Sequence, residues 1–150
     1  MADGECMKKG LDLRKLSYYA GAMKHPGPTD GELEILHVLW RNGPSTVRDV
    51  HGILSTSKPG TGYTTVLKLM QIMSDKGLVS RDEKNKAHVY SARMREDQTQ
   101  RQMVGDLLDR VFGGSAARLV MQALATKKAN PKELAEIRNM LDEFEQRGGA

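Results

Sequence analysis

The sequence has a single cysteine, Cys6, and no long apolar run. With one thiol, the 150-residue chain can form neither an internal disulfide nor a cysteine cluster that binds zinc or copper. No run approaches the roughly 18 to 20 apolar residues that a membrane-spanning helix needs, and the N-terminus lacks the apolar core of a secretory signal. We therefore expect a cytoplasmic protein.

The sequence also lacks the residue patterns of common enzymes. The histidines are scattered along the chain, and no His-x-x-x-His spacing for a metal ion occurs. The stretch Gly60-Thr61-Gly62 precedes a helix but lacks the remaining residues of a nucleotide-binding fingerprint. We therefore predict no catalytic residue, no cofactor and no metal ion.

The composition is that of a globular protein with a mild basic excess. Hydrophobic residues make up 39% of the chain and charged residues 28%, and the formal net charge is +4. This charge fits a polyanionic partner, but it also fits many enzymes. Residues 1–28 combine glycine, proline and lysine without a hydrophobic period, which predicts a flexible basic leader.

Two short capped helices are predicted after the leader. The first runs from residue 30 to about residue 41, behind a capping box of Thr29 and Glu32, and ends at an Asn-Gly-Pro turn. Its predicted core residues are Leu33, Leu36, Leu39 and Trp40. The second begins at residue 45 or 46, where Thr46 and Asp49 repeat the capping pattern, and a polar loop follows it.

The stretch from Thr61 to Gly77 predicts a third helix with two different faces. Its apolar residues recur at the i, i+3, i+4, i+7 spacing of one helical face. They are Val66, Leu69, Met70 and Met73. Hydroxyls and flexible donors near the N-terminus form the other face, which carries Tyr63, Thr64, Thr65, Lys68 and Gln71. In a helix-turn-helix protein such a face meets base edges and phosphates in the major groove, whereas on an isolated helix it only meets water.

A short β-hairpin is predicted directly after the third helix. From residue 78 the hydrophobic period changes, and residues 78–81 and 88–91 have the alternation of strands around a polar tip. A hairpin in this position is typical of the wing of a winged helix. The wing residues expected near DNA phosphates are Arg81, Lys84 and Lys86.

Three further helices are predicted from residue 95 onward, with breaks at Gly113-Gly114 and Asn130-Pro131. Their apolar faces are too small for an independent core, so we expect a second copy of the chain to cover them. Packing onto the winged domain is the alternative. The expected dimerisation residues are Leu107, Val111, Leu119, Leu134, Ile137, Leu141 and Phe144.

These elements predict a mainly α fold with a small β-hairpin wing. Residues 1–28 are the leader, residues 29–92 a winged helix-turn-helix domain that binds double-stranded DNA, and residues 93–147 a C-terminal helical dimerisation domain. Thr46, at the start of the second helix, joins the third helix and the wing as a candidate DNA contact.

Several stretches of the chain match a known family residue by residue. They are T-D-G-E-L-E-I-L-H-V-L-W in the first helix, Y-T-T-V-L-K-L-M in the third, K-G-L-V-S-R-D and H-V-Y-S in the wing, and V-F-G-G at 111–114. With these stretches and this order of elements, the chain resembles the BlaI/MecI penicillinase-repressor family of bacterial transcriptional regulators. The resemblance covers residues 29 to about 147.

The resemblance implies a homodimer that represses transcription from a palindromic operator, often with TACA and TGTA half-sites. It implies that Thr64, Thr65 and Lys68 contact bases or phosphates and that the wing cations bind beside them. In the antibiotic-responsive members, a membrane sensor with a metalloprotease domain leads to cleavage of an Asn-Phe bond in the first dimerisation helix. The residues in the corresponding position of this chain are Asp106-Leu107.

The chain also departs from the family pattern. Leu67 and Ile72 stand where staphylococcal members have arginine, so we expect fewer charged contacts to DNA. The cysteine cluster of the copper-responsive relatives is absent, which disfavours copper sensing. A competing interpretation is a winged helix used only for protein contacts. Apolar residues on the third helix favour this interpretation, and Thr64 and Lys68 oppose it.

Overall fold

The computed structural model describes residues 27–148, which form two compact units. The first unit ends at Val104 and the second begins at Gly105. In chain order the elements are α1 (Asp30–Asn42), β1 (Ser45–Thr46), α2 (Val47–Ser57), α3 (Tyr63–Lys76), β2 (Val79–Asp82), β3 (Val89–Ala92), α4 (Glu96–Val111), α5 (Ala116–Thr126) and α6 (Pro131–Gln146). Most of the predicted leader lies outside the described residues, and the functional boundaries at residues 28 and 92 stay predictions.

The helix ends of the first unit form as their sequences predict. Thr29 Oγ1 accepts a bond from the Glu32 amide at 3.3 Å, and Glu32 Oε1 accepts one from the Thr29 amide at 3.0 Å. Thr46 and Asp49 form the same reciprocal box at the start of α2, with both bonds at 3.1 Å. At the end of α3, Gly77 has a φ of 83°, a left-handed conformation that glycine adopts without a steric penalty.

The wing belongs to a three-stranded antiparallel sheet with the order β1-β3-β2. β2 and β3 form the predicted hairpin, with Val79 opposite Ala92 and Asp82 opposite Val89. β1 pairs with the other edge of β3 and was not predicted. A strand of two residues shows no alternation, so periodicity cannot detect it. The pairing of β1 with β3 connects the turn between α1 and α2 to the wing.

The core of the first unit lies among α1, α2, α3 and the base of the wing. Its buried apolar residues are Ile35, Leu36, Val38, Leu39, Val47, Val50, Val66, Met70, Met73, Val79 and Tyr90. The prediction for α1 was partly wrong, because Leu33 and Trp40 are only half-buried and Ile35 and Val38 are buried. α1 contacts α2, α3 and β3, so its buried stripe is wider than a single row of residues.

A buried ion pair connects the first turn of α1 with the last turn of α3. The Glu32 side chain is 2% exposed and accepts bonds from Lys76 Nζ at 2.9 and 3.0 Å. The Thr29 amide gives the same carboxylate a further donor. Burying a charge costs free energy, and these donors offset that cost, so Glu32 can remain in the core.

The first turn of α4 is fixed to α1. Trp40 Nε1 donates to the backbone oxygen of Met94 at 2.9 Å, and His37 Nδ1 lies 3.8 Å from a Glu96 carboxylate oxygen. These contacts explain why the first unit continues past the wing as far as Val104.

The second unit exposes much of its apolar surface in the single chain. Ser115 and Asn130 cap α5 and α6, but neither helix has a buried residue. Val111, Met121 and Phe144 are 62%, 69% and 54% exposed. Among the predicted dimerisation residues, Leu119, Leu134 and Ile137 are half-buried, and Leu107, Val111, Leu141 and Phe144 are exposed.

Candidate nucleic-acid interface

α3 separates an apolar face from a polar face, as its sequence predicts. Val66, Met70 and Met73 are at most 1% exposed and anchor the helix in the core. The opposite side, which we call the outer face, consists of exposed residues: Tyr63, Thr64, Thr65, Lys68 and Gln71. Because the buried residues fix the helix, the outer face projects hydroxyl, ammonium and amide groups from a rigid support.

The N-terminus of α3 is suited to an anion. Its N-cap is Gly62, which makes no side-chain cap bond, and its first turn contains no acidic residue. The first amide groups of any helix lack intrahelical acceptors, and the helix dipole places positive potential there. The amides of Tyr63–Thr65 can therefore bind a phosphate.

The loop before α3 is held from both sides by bonds that the sequence analysis missed. Lys58 Nζ forms an ion pair with Glu34 of α1 at 2.6 Å. His51 Nε2 of α2 lies 2.9 Å from the backbone oxygen of Thr61, and its ring meets the Tyr63 ring edge to face. No sequence pattern indicates such bonds, since they join residues that only the fold brings together.

The wing cations differ in how they are held. Hydrogen bonds to Tyr90 and then to Glu83 raise the pKa of Arg81 above its ordinary value, so its guanidinium stays charged but is already paired. Lys84 and Lys86 are exposed at the hairpin tip. Within residues 27–148, neither of these lysines has a carboxylate partner.

Three further residues discussed from the sequence have different settings. The Thr46 hydroxyl accepts the Asp49 amide, so its oxygen already serves as a helix cap. Leu67 is half-buried and packs against the core, whereas Ile72 is 39% exposed. Of the two apolar departures on α3, only Ile72 is therefore exposed to solvent.

Other site types receive no support from residues 27–148. This part of the chain contains no group of three or more His, Cys, Asp or Glu placed to hold a metal ion. Over the same residues, every helix is too short or too polar to cross a membrane.

The chain has a counterpart among known families. A family model described as penicillinase repressor matches residues 28–143. The chain belongs to the penicillinase repressor family. The match confirms the resemblance inferred from the sequence, and the helices with their small antiparallel sheet confirm the winged-helix fold class. This repressor is thus a bacterial DNA-binding regulator of transcription.

Individual relatives are similar over most of their lengths. A penicillinase repressor from Bacillus licheniformis is 25% identical over 127 residues, which are 83% of this chain and 96% of the relative. One from Staphylococcus aureus is 19% identical over 116 residues, 77% of this chain and 91% of the relative. A crystal structure of a transcriptional regulator from Thermotoga maritima has 14% identity and a TM-score of 0.47, covering 92% and 94% of the two chains.

The first unit of the repressor contains every candidate DNA contact. α3 contacts β2, so the outer face and the wing belong to neighbouring elements of one core. The second unit contains the candidate dimerisation residues. The roles of these residues in DNA binding and dimerisation stay predictions.

Proposed function

We propose that this repressor binds a palindromic operator as a homodimer, with α3 of each copy in one of two successive major grooves. The observation that carries the proposal is the exposed outer face of α3. Hydroxyls of Thr64 and Thr65 and the Lys68 ammonium can donate to base edges and phosphates, and the buried side of the helix keeps them in register.

The wing supplies contacts to the DNA backbone in this proposal. Lys84 and Lys86 lie at the exposed tip of the hairpin, where a phosphate can approach without displacing a carboxylate of the described residues. Arg81 must share its guanidinium between Glu83 and a phosphate. Backbone contacts of this kind position a protein on DNA but do not read its sequence.

The second unit supports the homodimer. Exposed apolar side chains on α4, α5 and α6 are costly in water, and a symmetric partner removes them from solvent. Dimerisation would hold two reading helices together, so that the second half-site is bound at a high effective concentration. Repression would follow from excluding polymerase at the promoter.

We also propose that a cut between Asp106 and Leu107 releases the repressor from DNA. Both residues lie within α4, and Asp106 forms an ion pair with Arg110 one turn later at 3.5 Å. A protease needs an extended substrate, so this stretch of α4 must open locally before cleavage. A break at this position would separate the winged domain from the second unit.

The proteolytic step has a direct test through fragment masses. Cells that carry the intact membrane sensor system would be exposed to a penicillin, and the repressor would be recovered for mass spectrometry. Fragments that end at Asp106 and begin at Leu107 would support the proposal. Induction of the promoter with the chain uncut would contradict it.

Fluorescence anisotropy of the purified protein tests the DNA-binding function. Binding to the upstream promoter duplex of its own gene is compared with binding to a shuffled duplex at two salt concentrations. A preference for the native duplex that persists at the higher salt would support sequence-specific repression. Equal, steeply salt-dependent binding would indicate only a basic surface, and no binding by the folded protein would favour a protein-contact scaffold.

A further inference from the structure

The start of α3 differs from the starts of four other helices. α1, α2, α5 and α6 begin after residues whose side chains bind a backbone amide, which are Thr29, Thr46, Ser115 and Asn130. α3 begins after Gly62, which has no side chain for this purpose. Its first turn, Tyr63–Thr65, forms much of the outer face. The N-cap side chain therefore contributes nothing to holding this turn in place.

His51 contacts the start of α3 from the neighbouring helix α2. Its Nε2 lies 2.9 Å from the backbone oxygen of Thr61, one residue before the N-cap. A carbonyl oxygen only accepts, so Nε2 carries the hydrogen. Ser55 Oγ lies 3.2 Å from the same nitrogen and donates its own hydrogen to the His51 backbone oxygen at 2.7 Å. The ring can therefore donate to Thr61 in both its neutral and its charged form.

The same imidazole supports the first residue of α3. The rings of His51 and Tyr63 have centroids 5.6 Å apart and an interplanar angle of 76°, a favourable edge-to-face arrangement. Thr61 is held further by bonds from its amide and hydroxyl to the backbone oxygen of Lys58, at 3.2 and 2.8 Å. One side chain thus fixes both the residue before the N-cap and the first residue of the helix.

We infer that His51 is a positioning residue for DNA recognition, which holds the first turn of α3 in the orientation that reads the operator. The inference rests on the proposed function. Val66, Met70 and Met73 anchor the rest of α3 independently, so the first turn can shift while the fold persists. Non-specific binding depends mainly on cations, none of which His51 holds, so the expected loss concerns discrimination between DNA sequences.

Two substitutions that differ by one methylene group test this role. The amide of His51→Gln reaches about as far as Nε2 and can donate to Thr61, whereas the amide of His51→Asn stops near Nδ1. We expect His51→Asn to lose about 10-fold in its preference for the upstream promoter duplex over a shuffled duplex. We expect His51→Gln to keep most of that preference. Anisotropy titrations of the full chain give both dissociation constants, and thermal melting monitors the fold.

A matched control comes from the same helix. Thr56→Val removes a hydroxyl whose one bond among residues 27–148 goes to the backbone oxygen of Ile53, so it should leave the preference unchanged. Equal preference in the Gln and Asn variants would overturn the positioning role. So would a joint loss of melting temperature and of affinity for both duplexes, which indicates a purely structural residue. Lack of preference in the unmodified protein would remove the proposed function itself, and this role with it.

Discussion

Lys68 is the cationic side chain of the outer face and the strongest candidate for a base contact. Replacing it with alanine should weaken binding to the operator by about 1 to 3 kcal/mol if it reads a base, since the paired acceptor then loses its donor. Anisotropy on native and shuffled duplexes measures the change. Lys128→Ala, which removes the same charge from an exposed position of the second unit, is the control. An unchanged operator affinity would exclude Lys68 from the reading contacts.

Arg81 is the wing cation that a neighbouring carboxylate already pairs. Glu83→Gln should free its guanidinium for a phosphate, so affinity should rise on every duplex. The slope of log K against log salt should steepen by about 1, the contribution of one added phosphate contact. Glu143→Gln makes the same charge change on α6 of the second unit and serves as the control. A rise limited to the native duplex would argue that Arg81 reads sequence.

At the scale of elements, α1 and α3 depend on the buried pair of Glu32 and Lys76. Lys76→Met should lower the free energy of unfolding by about 2 to 4 kcal/mol, because the buried Glu32 loses its cationic partner. The comparison is Lys58→Met, which removes an exposed ion pair with Glu34 and should cost less than about 1 kcal/mol. Urea unfolding measures the free energy of unfolding of both variants. Equal losses of this free energy would mean that the burial of Glu32 does not strengthen its ion pair.

At the scale of the whole molecule, the exposed apolar surface of α6 should decide the oligomeric state. Leu141→Asp combined with Phe144→Asp should yield monomers, because each charge would have to be buried in the interface. Operator affinity should then fall roughly 100-fold with the loss of bivalent binding. Sedimentation velocity and anisotropy measure the two effects. Asn139→Asp adds a charge to the same helix at an exposed polar position, so it should change neither the oligomeric state nor the operator affinity.

Local features of the repressor were predictable from the sequence alone. The caps at Thr29 and Thr46 formed as predicted, because each needs only a partner three residues away. The two faces of α3 and its end at Gly77 also followed from spacing and from the conformational freedom of glycine. The resemblance to the family came from specific residue stretches within these elements, and the family model confirms it.

Contacts between distant parts of the chain were decided by the tertiary structure. The bond from Lys76 to Glu32 joins residues 44 positions apart, and the pairing of β1 with β3 joins Ser45 to Tyr90. The support of the first turn of α3 by His51 has no sequence signal either. A capping or turn pattern depends on neighbours along the chain, whereas these contacts depend on packing angles and side-chain rotamers, which form only when the core closes.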